Sequence, residues 1–217
     1  GSSDYSGYFL GIAPSLSNRV YYTSSHNMIF KSDNADKPTN EILWKTVRTK
    51  EVPHGSNQWQ TTGTDRIPAF GIAIDPSNSN RIYLGYGDHG VWKSENNGLS
   101  FSPTAIVQEG KKKRVAGDIS NVVIDPANSA IFYVTSGFHP GGGASENRLI
   151  KAKNYGDNAE VIGGTFQSIG GLPNGEQLDL IVDSISPYLY VSVYGKGVYR
   201  GNEGANSAWQ WKQIFNI

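Results

Sequence analysis

Side chains able to do chemistry are sparse and scattered in this sequence. The four histidines, His26, His54, His89 and His139, stand far apart. No His-x-x-x-His spacing would bring two histidine ligands onto one face, so no metal site is expected. With no cysteine there is no thiolate nucleophile, Cys-ligated zinc, iron–sulfur cluster or disulfide framework. A Gly-x-Ser-x-Gly elbow and a Gly-Lys-Ser/Thr phosphate loop are both missing. Gly141-Gly142-Gly143 has no helix pattern after it and reads as a flexible loop, not a phosphate cradle. No cofactor is expected. What remains are carboxylates set in polar, Gly-rich stretches, among them Asp65, Asp88, Asp118 and Glu146. Two carboxylates facing each other across a sugar bond suffice for glycoside hydrolysis.

Charge and composition narrow the partners. Nineteen Lys and Arg balance nineteen Asp and Glu, so no long-range field steers nucleic acid or an anionic membrane. The one basic run, Lys111-Lys112-Lys113-Arg114, reads as a solvated loop. Aromatic residues make up 12 % of the chain and charged residues only 18 %, the reverse of a disordered segment. No apolar run approaches the ~20 residues that span a bilayer. Gly1-Ser2-Ser3 reads as a processed or engineered start, which leaves the native targeting sequence open. The lack of cysteine suits a secreted bacterial protein.

The elements that must position these groups repeat four times. The clearest unit runs from Ala69 to Pro103: an alternating segment ending at Asp75-Pro76, a second over Arg81 to Tyr86, a Gly-rich loop, a third over Val91 to Ser94, and a short fourth around Phe101. The same grammar starts at Leu10, Asn121 and Asp179, and the residues Lys31, Lys93, Lys151 and Arg200 mark equivalent points. Short strands divided by Gly, Pro, Asn and Asp turns predict a four-stranded antiparallel meander in each unit. Apolar positions never recur at helical spacing, so almost no helix is expected. One meander cannot bury both of its faces, whereas radial stacking of similar sheets can. The predicted fold is therefore all-β: a β-propeller region with blades over 6–48, 67–105, 119–169 and 178–215. These four blades either close alone or belong to a larger propeller of six to eight blades.

The turn Ser94-Glu95-Asn96-Asn97-Gly98-Leu99-Ser100-Phe101 resembles the Asp-box, or BNR repeat, Ser-x-Asp-x-Gly-x-Thr-Trp. Ser94, Gly98, Ser100 and Phe101 match, with Asn96 in the Asp position. Asp33 and Asn154 mark decayed copies in the first and third units. The units as a whole resemble the propeller superfamily of sialidases, xyloglucanases and VPS10-type receptors. In that layout the Asp-box hairpins lie remote from the ligand. Ligands meet the opposite end, built here by the loops after each second strand and by the connections 48–66, 106–118 and 170–177.

Those loops hold Trp59, Arg66, His89, His139 and Tyr194, which the resemblance makes candidate ligand-binding residues. Xyloglucanase-type members carry an Asp before the third strand, and Asp88 in Gly87-Asp88-His89-Gly90 lies one residue off that register. It reads either as the catalytic carboxylate or as a turn-forming Asp. Asp65-Arg66-Ile67-Pro68 is similar to the sialidase Arg-Ile-Pro motif, whose guanidinium grips a carboxylate. The expected function is an extracellular, secreted, glycan-directed propeller that binds polysaccharide or forms part of a glycoside hydrolase. The alternative is a non-catalytic protein-interaction propeller. Trp92 and Phe101 are expected to be buried between sheets. In an open row of blades, Phe9, Ile12, Leu180 and Val182 would be exposed until further blades or a second protein chain covered them.

Overall fold

A computed structural model describes residues 7–24, 28–64, 68–87, 89–106, 108–109, 113–114, 119–136, 148–163, 170–175 and 177–217. Four antiparallel four-stranded sheets carry almost all the regular structure. Blade 1 contains β1 (Gly7–Ala13), β2 (Leu16–Ser24), β3 (Ile29–Ser32) and β4 (Lys45–Thr46). A two-stranded hairpin, β5 (Thr49–Glu51) with β6 (Trp59–Thr61), leads to blade 2. That blade contains β7 (Ala69–Ile74), β8 (Ile82–Tyr86), β9 (Gly90–Ser94) and β10 (Ser102–Pro103). A second small hairpin, β11 (Gln108–Glu109) with β12 (Lys113–Arg114), precedes blade 3. Blade 3 contains β13 (Ile119–Ile124), β14 (Phe132–Ser136), β15 (Arg148–Lys153) and β16 (Asn158–Gly163). Blade 4 contains β17 (Gln177–Val182), β18 (Leu189–Val193), β19 (Gly197–Glu203) and β20 (Trp209–Phe215). Among the described residues the only helical element is the 3-10 turn Asn154–Gly156. The two hairpins correct the expectation that their connections would be plain loops.

Packing follows from the period of two along each strand. The first strands β1, β7, β13 and β17 adjoin one another in succession. Three apolar clusters lie between consecutive blades: Tyr21, Ile29, Ile74 and Leu84 between blades 1 and 2; Tyr83, Ile119, Phe132 and Ile150 between 2 and 3; Tyr133, Leu149, Leu180 and Val191 between 3 and 4. No comparable contact joins β17 back to β1 among the described residues, so the row of blades is open. The marker residues Lys31, Lys93, Lys151 and Arg200 each stand opposite a tyrosine on the neighbouring strand: Tyr21, Tyr83, Tyr133 and Tyr190. This pair faces the next blade. Tyr83 meets the Phe132 ring at a centroid distance of 4.3 Å.

At its ends the open row departs from expectation in part. Phe9 and Ile12 are exposed, but Leu180 is buried and Val182 half-buried. Both point back toward blade 3, and Ile181 is the residue that faces solvent. On blade 1 the cross-strand row Leu10–Tyr22–Phe30, extended by Trp44, lines an apolar groove of about 390 Å³. Trp92 is only half-buried, which corrects the expected full burial. It sits on a third strand, away from the adjoining first strands, with its edge against Tyr86 and its Nε1–H donating to the His89 carbonyl at 3.2 Å. Phe101 is buried against blade 1, as expected.

The turn between the first two strands of blade 2 is held by a buried carboxylate. Asp75 accepts hydrogen bonds from the Ser77 N–H and hydroxyl, both at 2.7 Å, and from Arg81 at 2.6 Å. Burial alone would raise its pKa; Ser77 and Arg81 outweigh that and hold it below the ordinary carboxylate value. A lowered folded pKa means this stability is fully present above about pH 4 and is lost as pH falls through the folded value. Asp75→Asn is expected to cost about 3 kcal/mol at pH 7. The gap to wild type should narrow in urea melts at pH 3; a gap equally wide at both pH values would refute the assignment.

Candidate functional site

Two ends of the blades can be compared. At one end lie the turns after the first strands and the hairpins between third and fourth strands. The hairpin of blade 2 is tied by a compact set of bonds. The Ser94 hydroxyl receives the N–H groups of Asn96 (3.3 Å) and Gly98 (2.9 Å). Asn96 accepts the Ser100 N–H at 2.9 Å and donates to the Ser100 hydroxyl at 2.8 Å. Gly98 has φ +78°, a conformation that favours glycine. In blade 1 the equivalent acceptor is Asn34, whose side chain takes the Leu43 N–H at 2.9 Å. Asp33, marked in the sequence, instead pairs with Arg19 at 2.6 Å and Lys31 at 2.9 Å. It thereby occupies the role that Glu95 plays toward Arg81 and Lys93 in blade 2.

At the opposite end lie the loops after the second strands. Asp88, Arg66 and His139 fall outside the described residues, as do Asp65, Asp118 and Glu146. For Trp59 only the backbone position is described: it lies in β6, paired with Glu51. Glu51 accepts the Asn57 N–H at 2.6 Å, and hydrogen bonds from the backbone of Gly55 and Asn57 hold its pKa below the usual range, so this carboxylate is committed to its own loop. His89 is half-buried beside Gly90, and Tyr194 is 69 % exposed at the β18–β19 turn. Lys196 in the same turn donates to the Asn174 carbonyl, which ties this loop to the connection entering blade 4.

Sequence reading missed the buried hydroxyls at the base of this end. Thr23 and Ser24 are fully buried at the end of β2, with hydroxyls unpartnered among the described residues. At the corresponding end of β14, Thr135 receives the Ser120 hydroxyl at 3.1 Å, and the Ser136 hydroxyl accepts the Arg148 N–H at 3.2 Å. As Thr and Ser in a strand these residues carry no distinguishing signal. Among the described residues no group of three His, Asp or Glu could hold a metal ion, and no helix is long and apolar enough to cross a membrane.

No protein-family profile matches the chain, and no curated protein does. Solved structures do. An ancestral GH74 enzyme superposes with a TM-score of 0.64 at 20 % identity, over 97 % of this chain and 24 % of its own. The GH74 xyloglucanase of Xanthomonas campestris gives 0.57 at 14 % identity, over 93 % of this chain and 30 % of its own. An auxiliary nutrient binding protein of Bacteroides thetaiotaomicron gives 0.59 at 11 % identity, over 94 % and 40 %. The chain thus has a β-propeller fold of the kind found in these proteins. It spans a quarter to two fifths of their length.

Proposed function

We propose that this chain is a secreted, glycan-directed propeller whose ligand lies across the loop end. The observation that carries the reading is the fold likeness over nearly the whole chain to a xyloglucanase and to a nutrient-binding protein. In this reading Trp59 and Tyr194 stack on sugar faces, and Arg66, His89 and His139 hydrogen-bond hydroxyls. Asp88 is the carboxylate to test for catalysis. Ser94, Asn96, Gly98, Ser100 and Phe101 form an Asp-box turn that braces the blade far from the ligand. A polysaccharide array probed with the 217-residue chain tests the binding. Tyr194→Ala is expected to weaken the best ligand about tenfold, the loss of one aromatic contact. Failure to bind any polysaccharide would overturn the reading, and reducing-sugar release from xyloglucan would separate hydrolase from lectin.

A protein-interaction role is the second reading, favoured by the open apolar groove on blade 1. In either reading the two open ends of the row are covered in the complete assembly by further blades or by a second chain.

A further inference from the structure

The turn end of the molecule holds a cleft of about 340 Å³ between blades 3 and 4, within the usual range of small-ligand sites. Its origin is visible by comparing the repeats. In blade 2, Arg81 follows the turn and returns its carbonyl to the Asp75 N–H. Its guanidinium fills the gap to blade 3, bonded to Asp75 and Glu95 and stacked at 3.8 Å on the Tyr155 ring. The Ser77 and Ser129 hydroxyls, 2.8 Å apart, then tie the two turns together. In blade 3 the same backbone bond runs from the Asp125 N–H to the carbonyl of Ile131. The plugging arginine is therefore an isoleucine, and Ala127 stands where Ser77 stood. Both the plug and the hydroxyl bridge are absent, and a cleft opens.

Its lining mixes apolar side chains with polar groups, and some of the polar groups are incompletely satisfied. Asp125 spends one carboxylate oxygen on the N–H groups of Ala127 and Asn128; the other has no partner among the described residues. Trp209, 7 % exposed and stacked on Trp211, lines the cleft with its Nε1–H unpartnered among the described residues. Lys151 and Glu203 form a 2.6 Å ion pair in the same lining, and Ile185 on the blade 4 turn is 95 % exposed at its mouth. A buried donor left without a partner, as the Trp209 indole N–H is among the described residues, costs stability and marks a place where a ligand gains by binding; the half-buried Asp125 carboxylate adds an acceptor beside it. Three carboxylates, Asp125, Asp183 and Glu203, stand against one ammonium, which disfavours an anion. An ammonium or guanidinium ligand could satisfy Asp125 but offers nothing to the indole N–H, which needs an acceptor. A hydroxylated ring supplies donors and acceptors together, and its C–H face suits Ile131, Val182 and Ile185.

We infer that this interblade cleft is a binding site for a neutral saccharide residue, separate from the loop end. The inference rests on the cleft and not on the loop-end reading. The test is a titration of the 217-residue chain with xylose and cellobiose, followed by tryptophan fluorescence and saturation-transfer NMR. Arginine amide and galacturonate serve as cationic and anionic probes. Ile131→Arg restores the plug seen in blade 2 and is expected to weaken neutral-sugar binding at least about tenfold. Trp209→Phe keeps the ring and removes the N–H, and is expected to cost about fivefold. If Tyr194→Ala abolishes the binding while Ile131→Arg and Trp209→Phe do not, the sugar sits in the loops and the cleft assignment fails. Equal binding by wild type, Ile131→Arg and Trp209→Phe would overturn the inference, as would preference for either charged probe. If Ile131→Arg does not fold by circular dichroism, Trp209→Phe and Asp125→Asn decide the outcome by the same criterion.

Discussion

Gly85→Ala is expected to destabilise the chain by about 3 kcal/mol, a fall of about 6–12 °C in melting temperature for a domain of this size. A Cβ at Gly85 would lie 2.3 Å from Ile119 Cγ2 and 3.0 Å from Val122 Cγ2. Ile119 is fully buried in the cluster between blades 2 and 3, so the clash cannot be relieved by turning its side chain out to solvent. Gly71, directly opposite Gly85 in the sheet, would bring a Cβ to 3.0 Å from the Val122 backbone nitrogen. The two glycines therefore let the first strand of blade 3 close onto blade 2 at near-backbone distance. A double-mutant cycle distinguishes this from a general intolerance of substitution. Ile119→Ala removes the offending methyl, so the pair should be less damaging than the sum of the single changes. Additive losses, or a loss under 1 kcal/mol for Gly85→Ala, would show that the blades are not in this contact.

The second large effect concerns the state of the isolated chain in solution. Leu10 is 70 % exposed, and with Tyr22, Phe30 and Trp44 it forms a continuous apolar face. Cross-strand register makes this row equivalent to Ile72–Leu84–Trp92 in blade 2 and Val122–Val134–Ile150 in blade 3. In blades 2 and 3 the row packs against the preceding blade. At the far end, blade 4 presents Ile181, Tyr190 and Arg200 with no blade against them. Chains with two such unlike open faces associate head to tail, and apolar patches of this kind are rarely left bare. Light scattering is therefore expected to give an average mass at least about twice the 23.6 kDa of one chain. Leu10→Lys with Trp44→Glu should return it to the monomer. A monodisperse wild-type monomer would remove the case for covering blades.

Much of the architecture was legible in the residues themselves. Strand alternation, Asp-Pro turns and the recurring Lys or Arg marker act locally, through side-chain period and turn geometry, and so report directly on four antiparallel meanders. The marker proved to be half of a cross-strand Tyr–Lys or Tyr–Arg pair that faces the next blade. The capping residue of blade 1 was one position away from the one the sequence suggested, because Asp33 and Asn34 are both competent acceptors and only the placement of Arg19 and Lys31 decides between them. Trp92 was misread because a large apolar residue in a strand signals burial, while how far neighbouring sheets cover a third strand is set by their splay.

The candidate ligand residues divide in the same way. His89 and Tyr194 lie at the loop end where the repeat grammar puts them, whereas Asp88, Arg66 and His139 fall outside the described residues, so the catalytic assignment rests on the sequence alone. Other features depended entirely on the third dimension. The open ends of the row, the near-backbone contact at Gly85 and the cleft left by Ile131 all arise between blades, from residues more than thirty positions apart. Local sequence specifies which strand a residue joins and which way it points. It does not specify what stands opposite, because that depends on how one sheet is laid against the next.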